Sequence, residues 1–247
     1  MAKLFNQTTN RQGLLVYGGE ASSDFGMVIA EAPAFNRSTR KQTVFSVPGR
    51  NGDIILQQDA WNDVPRNYNV WLAEDGETDL TTRVDELMAW LNSKKGYQRL
   101  EDNFEPDVFR LAYYSGGASF ENHLTQYGSG TLSFTCRAER FYKIGEQPIE
   151  VSNGDKVNNP TRYASKPLIH IEGSGSVTIT FGGATMSATL TDYINIDCDA
   201  MNAYRLPAEN MNNKISGTFP TLQPGINTIG LTGSITKVVI TPRFFTI

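Results

Sequence analysis

The stretch KISGTFPTLQPGINTIGLTGSITKVVITPRFF, from Lys214 to Phe245, decides the fold class of the second half of the chain. Short β-branched runs alternate in it with turn residues, namely Gly217, Pro220, Pro224-Gly225 and Gly233. This spacing is typical of antiparallel strands that are joined by tight turns. We therefore predict that this half of the chain is all β.

The pattern just upstream predicts a β-hairpin. Apolar and polar residues alternate from Val177 to Phe181, and the alternation resumes after Gly182-Gly183. Residues on one face of a strand recur at every second position, so both runs present one apolar face. Together with Tyr193 to Cys198 and the C-terminal strands, the hairpin supplies enough strands for a small sandwich.

One segment of the first half has the period of an α-helix. Apolar residues between Asp79 and Lys95 recur at helical spacing and therefore share one stripe. They are Leu80, Val84, Leu87, Met88 and Leu91. Thr78 or Asp79 can cap the first turn, and Gly96 can end the helix. We predict an amphipathic helix that covers one face of a sheet.

The segment VPGRNGD, from Val47 to Asp53, joins two strand candidates that begin at Thr43 and Ile54. Pro48-Gly49 suits the centre of a type II turn and Asn51-Gly52 that of a type I′ turn, because both turns need a positive φ. Further strands are predicted at Asn67–Leu72, Tyr97–Leu100, Val108–Tyr114 and Gly130–Cys136. The first half therefore combines a sheet, a hairpin and one helix.

The stretch GEQPIEVSNGDKVNNP, from Gly145 to Pro160, has no sustained period and is rich in glycine, proline, asparagine and charge. This composition is typical of a linker or an exposed connection. We therefore expect two domains, residues 1–145 and residues 146–247. Each is long enough to bury its own core.

The charge balance excludes one large class of function. The net charge is -4 and charged residues are 19% of the chain, so there is no basic field to hold nucleic acid. No apolar run reaches the roughly 20 residues that span a bilayer, and the N-terminal MAKLFNQTTN lacks the apolar core of a secretory signal. We expect a soluble protein without membrane insertion that is made in a cytoplasm.

The cysteines and histidines do not predict a metal site or a disulfide. Cys136 and Cys198 each continue the apolar face of a strand, which is typical of buried free thiols. His123 and His170 fall in different predicted domains, and neither has a second ligand at zinc spacing. No metal and no cofactor are therefore assigned.

Two groups of carboxylates invite a chemical interpretation. Asp192, Asp197 and Asp199 lack the looped spacing of a calcium site, so a solvated strand face is favoured over weak cation binding. Glu101-Asp102 and Glu105-Asp107 suit glycoside hydrolysis only at separations of about 5 to 9.5 Å, and a polar loop before the next strand explains them more simply. The chain also lacks a nucleophile elbow and a cysteine beside a histidine, so no catalytic residue is assigned.

The aromatic residues leave a sugar-binding alternative open. The C-terminal half contains several tyrosines but no tryptophan, since Trp61, Trp71 and Trp90 all lie in the first half. Core or interface roles are therefore favoured for the tyrosines. If the C-terminal domain binds glycans, Tyr193 and Tyr204 are the candidates for weak contacts.

Several motifs occur in the order found in the distal tail proteins of siphophages, and the chain resembles that family. In the second half they are LTDYI (Leu190–Ile194), FPTLQPGINTI (Phe219–Ile229) and PRFF (Pro242–Phe245). In the first half they are VPGRNGD, LMAWLNSKKGYQRL (Leu87–Leu100) and TLSFTCRAERFYK (Thr131–Lys143). The long insertions that carry carbohydrate-binding modules in larger members have no counterpart in this sequence.

The resemblance implies a mainly β fold, with an N-terminal β-sandwich-like belt domain that carries one α-helix and a β-hairpin, and a C-terminal galectin-like β-sandwich. It implies a homo-hexameric ring whose interfaces lie within residues 1–145, placed in the virion at the phage tail tip. The ring would join the tail tube protein to the tail tip or tail-associated lysin hub protein, with receptor-binding proteins as further candidate partners. DNA would pass through its lumen without specific binding. This is a structural hub and not an enzyme; the alternative is a carbohydrate-binding module that contacts the host cell wall.

Overall fold

The computed structural model of the chain describes residues 13–73, 78–116, 119–123, 127–206 and 209–247. These residues form two compact units, one that extends to Arg140 and includes Ile247, and one of residues 141–246. Both units are built mainly of β-strands, and the described part of the chain contains one α-helix. The mainly β fold class predicted from the sequence is confirmed.

The first unit is organised around one sheet. Its strands run in the order β2-β1-β7-β8-β10-β6-β3, β9 pairs with β10, and β4 and β5 form a separate two-stranded sheet. The strands are β1 (Leu15–Tyr17), β2 (Glu20–Ala21), β3 (Met27–Ile29), β4 (Arg40–Phe45), β5 (Ile54–Trp61), β6 (Val64–Ala73), β7 (Gln98–Asp102), β8 (Val108–Tyr114), β9 (Phe120–His123) and β10 (Tyr127–Tyr142).

Helix α1 spans Leu80–Ser93 and confirms the predicted helix. The Asp79 carboxylate caps it by accepting the backbone N–H of Thr82 at 2.9 Å, and Gly96 follows with φ 67. Its apolar stripe packs on the inner face of the sheet, and the buried members are Leu80, Leu87, Trp90 and Leu91. Trp90 lies outside the predicted stripe but is buried because it stacks on Phe25, with ring centroids 4.5 Å apart.

The inner face of the sheet follows the period of two along β6. Tyr68, Val70 and Leu72 are buried in the core, whereas Trp71 between them is exposed. Arg66 precedes them in the same alternation and is therefore buried as well. The core of the first unit thus contains a charged residue that must be neutralised inside the protein.

The β4–β5 hairpin confirms one predicted turn and corrects another. The backbone N–H of Arg50 donates to the carbonyl oxygen of Val47 at 3.2 Å, and Gly49 has φ 80, as the predicted turn at Pro48-Gly49 requires. The predicted type I′ turn at Asn51-Gly52 is wrong, because Gly52 has a positive φ but Asn51 does not. Two successive turns therefore close this connection, and neither is a two-residue hairpin turn.

The second unit contains a seven-stranded sheet and a small two-stranded sheet, β12-β18. The long strand β13 pairs along its length with β19, and on its other side with β15 and then β14. The strands of these two sheets are β11 (Ile149–Glu150), β12 (Lys156–Asn159), β13 (Leu168–Phe181), β14 (Ala184–Leu190), β15 (Tyr193–Asp197), β16 (Asn202–Tyr204), β17 (Ile215–Gly217), β18 (Gly225–Thr228) and β19 (Gly230–Thr241). The short strand β20 (Phe245–Thr246) belongs to neither sheet.

The predicted hairpin of the second unit is confirmed in register. Phe181 pairs with Ala184, so Gly182 and Gly183 form the loop between β13 and β14. Their φ values are 60 and 78, which suits a type I′ turn. A Cβ atom at Gly182 would lie 1.9 Å from the carbonyl oxygen of Thr221, so this position also needs glycine for space.

The segment from Gly145 to Pro160, predicted as a linker or exposed connection, instead contributes to the second core. It forms β11 and β12 and buries Val151 and Val157. Asn159 is buried too, and its amide donates to the carbonyl oxygen of Leu222 at 2.9 Å. The polar composition was misleading because the asparagine hydrogen-bonds buried backbone instead of facing water.

Both cysteines are buried and free, as predicted. Burial raises the pKa of Cys136 to about 11 and that of Cys198 to about 12. The neutral thiols therefore act as small apolar side chains in the two cores.

The helix supplies a direct test of the first core. Leu87→Asp should lower the free energy of unfolding by about 3 kcal/mol or more, because Leu87 is fully buried and the new charge would have no partner. Ala89→Asp places the same charge on the exposed side of the helix and should change it by less than about 1 kcal/mol. Urea unfolding followed by tryptophan fluorescence measures both; equal, small effects would contradict the observed packing.

Candidate functional site

The β4–β5 hairpin carries a group of exposed apolar side chains, which we call the hairpin patch. Cross-strand pairing places Val44 opposite Ile55 on one face and Phe45 opposite Ile54 on the other. The most exposed members are Leu56 at 55% and Ile55 at 53%. The patch consists of Val44, Phe45, Val47, Ile54, Ile55 and Leu56. Because alternate residues point to opposite faces, both faces of the hairpin are apolar.

An apolar surface on both faces distinguishes this hairpin from an ordinary surface hairpin. Antiparallel strands normally bury one face and expose a polar one, whereas the described residues of β4 and most of β5 are exposed. A two-stranded hairpin is at best marginally stable by itself in water. Contiguous exposed apolar side chains of this kind mark surfaces that bind another macromolecule.

The base of the hairpin is held by hydrogen bonds. The Asn62 backbone N–H donates to the Thr39 carbonyl at 3.0 Å, and the Asn62 amide donates to the Thr39 hydroxyl at 3.1 Å. The Asn36 amide donates to the Pro65 carbonyl at 2.9 Å, which ties the preceding segment to β6. The Arg40 guanidinium lies 4.7 Å from the centre of the Trp61 ring. The root of the hairpin is thus ordered although its apolar side chains are uncovered.

A buried ionic network lies next to this root, and Arg66 is its centre. Arg66 Nη2 donates to Asp102 Oδ2 at 2.8 Å, and Nη1 donates to the Ala34 carbonyl at 3.0 Å. Arg66 Nε donates to the Tyr68 hydroxyl at 3.2 Å, and that hydroxyl donates to Asp102 Oδ2 at 2.8 Å. Arg66 therefore links β6, β7 and the segment that leads into the hairpin.

Glu105 completes the network in the connection between β7 and β8. Its carboxylate accepts hydrogen bonds from Arg110 on β8 and, at 3.0 Å, from Arg140 on β10, and it lies 3.3 Å from Arg66 Nη2. The network thus joins residues of β6, β7, β8 and β10. In a flat sheet β6 and β7 would be about 14 Å apart, so the 2.8 Å contact between Arg66 and Asp102 requires a strongly curled sheet.

The network keeps its groups ionised. Burial by itself would raise the pKa of Asp102, but the charge and hydrogen bond of Arg66 lower it overall. Burial also opposes the charge of Glu105, and the hydrogen bond and charge of Arg110 lower its pKa overall. Burial raises the pKa of Tyr68 well above its ordinary value, so this hydroxyl stays a neutral donor.

This network corrects the interpretation of the acidic residues as a polar loop. Asp102 is buried and Glu105 nearly so, and both are bound by arginines, which leaves them unsuited to acid–base catalysis. Sequence reasoning missed Arg66 and Tyr68 although they carry a usable signal. They occupy the same face of β6 as Val70 and Leu72, and a charge on an apolar face needs a buried partner.

The prediction that Asp192, Asp197 and Asp199 lie on a solvated strand face is wrong for Asp197. Asp197 accepts two hydrogen bonds from Arg243, at 2.7 and 3.0 Å, so it belongs to an ion pair and not to a solvated strand face. Burial acts to raise the pKa of Asp197, whereas the hydrogen bond from Arg243 lowers it overall. Asp199 pairs with Lys166 at 3.2 Å. In the described ranges, no group of three or more histidine, cysteine, aspartate or glutamate residues is arranged to hold a metal ion.

The two candidate glycan contacts lie on one face of the second unit. Tyr204 pairs with Asn195, so its side chain shares with Tyr193 the face opposite the core. The Tyr193 ring lies 5.4 Å from the His170 ring, and both tyrosines are half-buried. His170 Nδ1 is hydrogen-bonded with Asn195 Oδ1 at 2.8 Å, so it is engaged inside this face; the His123 side chain lies outside the described residues.

A family model matches most of the first unit. The family model of the phage tail protein RIFT-related domain matches residues 25–136, which include the hairpin patch and the whole ionic network except Arg140. This part of the first unit is therefore similar to a phage tail domain. No curated protein sequence matches the chain.

The fold of the chain is similar to that of a phage protein of known structure. The crystal structure of the SPP1 Dit protein, described as a paradigm of the hub adsorption apparatus in phages that infect Gram-positive bacteria, superposes with a TM-score of 0.74. The identity is 16%, and the match covers 95% of this chain and 99% of that one. The resemblance to siphophage distal tail proteins is confirmed, and the likeness to SPP1 Dit is one of fold.

The ionic network generates a stability prediction. Asp102→Asn should lower the free energy of unfolding by about 3–5 kcal/mol at pH 7, because it leaves Arg66 buried beside a neutral group. Asp53→Asn, at an exposed carboxylate, should change it by less than about 0.5 kcal/mol. Urea unfolding at several pH values tests both.

The pH dependence of the same variants gives a second readout. The pKa of Asp102 is lowered in the folded protein, so its carboxylate stabilises the fold above the unfolded pKa of about 3.9 and loses this effect as the pH falls through the lower folded value. The difference between wild type and Asp102→Asn should therefore shrink below about pH 4. A difference that stays constant down to pH 2 would contradict the assignment of an ionised Asp102.

Proposed function

We propose that this protein is a structural hub of a siphophage tail tip. The hub is a hexameric ring that joins the tail tube protein to the tail tip or tail-associated lysin hub protein. The observation that carries the proposal is the hairpin patch within the phage tail domain, in a chain that has the fold of SPP1 Dit over 95% of its length. The virion tail tip is then its location, and receptor-binding proteins are candidate partners at the rim of the hub.

The hairpin patch supports ring formation through the first unit. A ring of identical subunits needs a heterologous contact, in which one surface of each subunit meets a different surface of the next. A hairpin with two apolar faces and a fixed base can insert into a neighbouring subunit and bury both faces there. Fully burying one leucine or isoleucine side chain contributes roughly 1.5–3 kcal/mol, so a patch of six apolar residues supplies ample driving force.

Passage of DNA through the ring is compatible with the charge of the chain. A net charge of -4 gives no general attraction for phosphate groups, and a strongly basic lumen would retain the DNA. Within the described residues, no helix is both long and apolar enough to cross a membrane.

The hairpin patch generates the test of the proposal. Ile55→Asp and Leu56→Asp, one on each face, should abolish the ring, because each places an unpaired charge in an interface that must become dry. Both side chains are exposed in the single chain, so the free energy of unfolding of the dissociated chain should change by less than about 0.5 kcal/mol. Mass photometry and negative-stain imaging measure the oligomer.

A matched control comes from the second unit. Ile226 on β18 is 69% exposed, and Ile226→Asp should leave the ring intact although it makes the same chemical change. A ring that survives both hairpin substitutions would contradict the assignment of this interface. A wild-type chain that stays monomeric at high concentration, and also with tail tube protein present, would contradict the ring itself.

The alternative function is a carbohydrate-binding module in the second unit. The observation that favours it is the shared outward face of Tyr193 and Tyr204 beside His170. We expect no tight glycan binding, because both rings are half-buried and Tyr193 is already in contact with His170. Titration of host-wall polysaccharide into the full chain distinguishes the two: saturable binding that is lost in Tyr193→Ala and Tyr204→Ala would favour the alternative.

A further inference from the structure

The tripeptide Asn-Gly-Asp occurs twice in the chain. Asn51-Gly52-Asp53 lies between β4 and β5, within the connection that carries the hairpin patch, and Asn153-Gly154-Asp155 lies between β11 and β12. Asn-Gly occurs at no other position of the sequence. Both copies are exposed, and in both the glycine has a positive φ, 83 at Gly52 and 91 at Gly154. The two copies thus share their local sequence, their exposure and the conformation of their glycine.

An asparagine that precedes glycine can be attacked by its own backbone. The glycine nitrogen attacks the asparagine Cγ, a nitrogen–Cγ bond forms, the Cγ–Nδ2 bond breaks, and ammonia leaves with the proton of the glycine nitrogen. Water then opens the cyclic imide at either carbonyl, which gives aspartate or isoaspartate. Glycine favours the attack because it has no Cβ atom and the widest backbone freedom. The reaction consumes water and needs no enzyme, metal or oxidant.

Hydrogen bonds hold both reacting groups of the second copy. The Asn153 side-chain oxygen accepts the backbone N–H of Leu231 at 2.8 Å. The Gly154 N–H, which carries the attacking nitrogen, donates to the carbonyl oxygen of Ile229 at 2.8 Å. Attack at Asn153 therefore requires that the contacts with Ile229 and Leu231 break first.

The first copy lacks these contacts. Within the described structure, neither the Asn51 side chain nor the Gly52 N–H makes a hydrogen bond. The backbone bond of the preceding turn, from Arg50 to Val47, lies before the reacting residues, and strand pairing resumes at Ile54. A Cβ atom at Gly52 would meet nothing within 4 Å, so the turn is open to water. The reacting groups of Asn51 and Gly52 are thus exposed and unrestrained by hydrogen bonds.

We propose that Asn51 is a site of spontaneous deamidation in the folded, unassembled chain, and that Asn153 is protected from the same reaction. Two hydrogen bonds of ordinary net strength correspond to roughly a ten-fold lower rate at Asn153, because only the opened turn reacts. Tertiary contacts, and not the tripeptide itself, then select the modified residue. This assignment does not depend on the proposed ring.

Peptide mass spectrometry measures both sites in one sample. The full chain is incubated at mildly alkaline pH and then digested with pepsin in acid, where deamidation during the digest is slow. The Asn51 peptide should exchange an amide for a carboxylate roughly ten-fold faster than the Asn153 peptide. Enzymatic methylation of isoaspartate should label the Asn51 product. Equal rates at the two sites, or a faster rate at Asn153, would overturn the proposal.

The unfolded chain and one variant are the controls. In urea the contacts of Asn153 with Ile229 and Leu231 are lost, so the two identical tripeptides should react at similar rates. If urea leaves the difference unchanged, flanking sequence selects Asn51 and the structural assignment is wrong. Asn51→Gln places the amide one methylene group farther from Gly52 and should leave no mass gain at residue 51.

Modification of Asn51 has a consequence for the hub, and this step rests on the proposed ring. Deamidation adds a negative charge between Val47 and Ile54 of the hairpin patch, and isoaspartate also lengthens the backbone by one methylene group. A charge opposes burial in a contact that must become dry, so chains modified before assembly should be depleted from rings.

An assembly assay on aged protein tests this consequence. Wild-type chain that has been incubated until Asn51 is modified should lose ring formation, whereas Asn51→Gln incubated in the same way should keep it. Equal modified fractions in rings and in free chains would contradict the consequence. A fresh wild-type chain that forms no ring would contradict the proposed hub, and the comparison of the Asn51 and Asn153 rates would still decide the modification site.

Discussion

Arg66 is the residue on which the first unit depends. Its guanidinium binds Asp102 on β7, Tyr68 on β6 and the carbonyl oxygen of Ala34, so three distant parts of the chain meet at one group. A buried guanidinium would be strongly unfavourable without these partners. Pairing this buried charge therefore requires the curl of the sheet that brings β7 to β6. It also fixes the position of residue 34, and the apolar core packs around the resulting ion pair.

The hairpin patch follows from this arrangement. The segment bound by Arg66 at Ala34 leads directly into β4, and hydrogen bonds of Asn36 and Asn62 continue the anchoring to the base of the hairpin. The apolar side chains beyond the base have no core of their own, because both faces are exposed. Because hydrogen bonds already hold the base of the hairpin, a contact made through its uncovered apolar side chains would lose less conformational entropy than one made through an unanchored segment.

Local patterns were sufficient for the helix and for most of the longer strands, and insufficient for the charged contacts. The helical stripe around Leu87, the alternation of Val177 to Phe181 and the Gly182-Gly183 turn depend on neighbours within a few residues, and all were predicted correctly. The partners Arg66 and Asp102 are 36 residues apart, and Asp197 and Arg243 are 46 apart. Such pairings depend on the tertiary fold, so the sequence presented these acids as solvated.

Composition failed for a related reason at Gly145 to Pro160. The same asparagines that are typical of a linker are also able to satisfy buried backbone groups, as Asn159 does. The exposed hairpin patch was not predicted either, because Val44 and Ile55 have the same β propensity whether a strand is buried in its own chain or in a neighbour's. The two strands and the turn at Pro48-Gly49 could therefore be predicted, whereas the conformation at Asn51-Gly52 and the exposure of both faces could not.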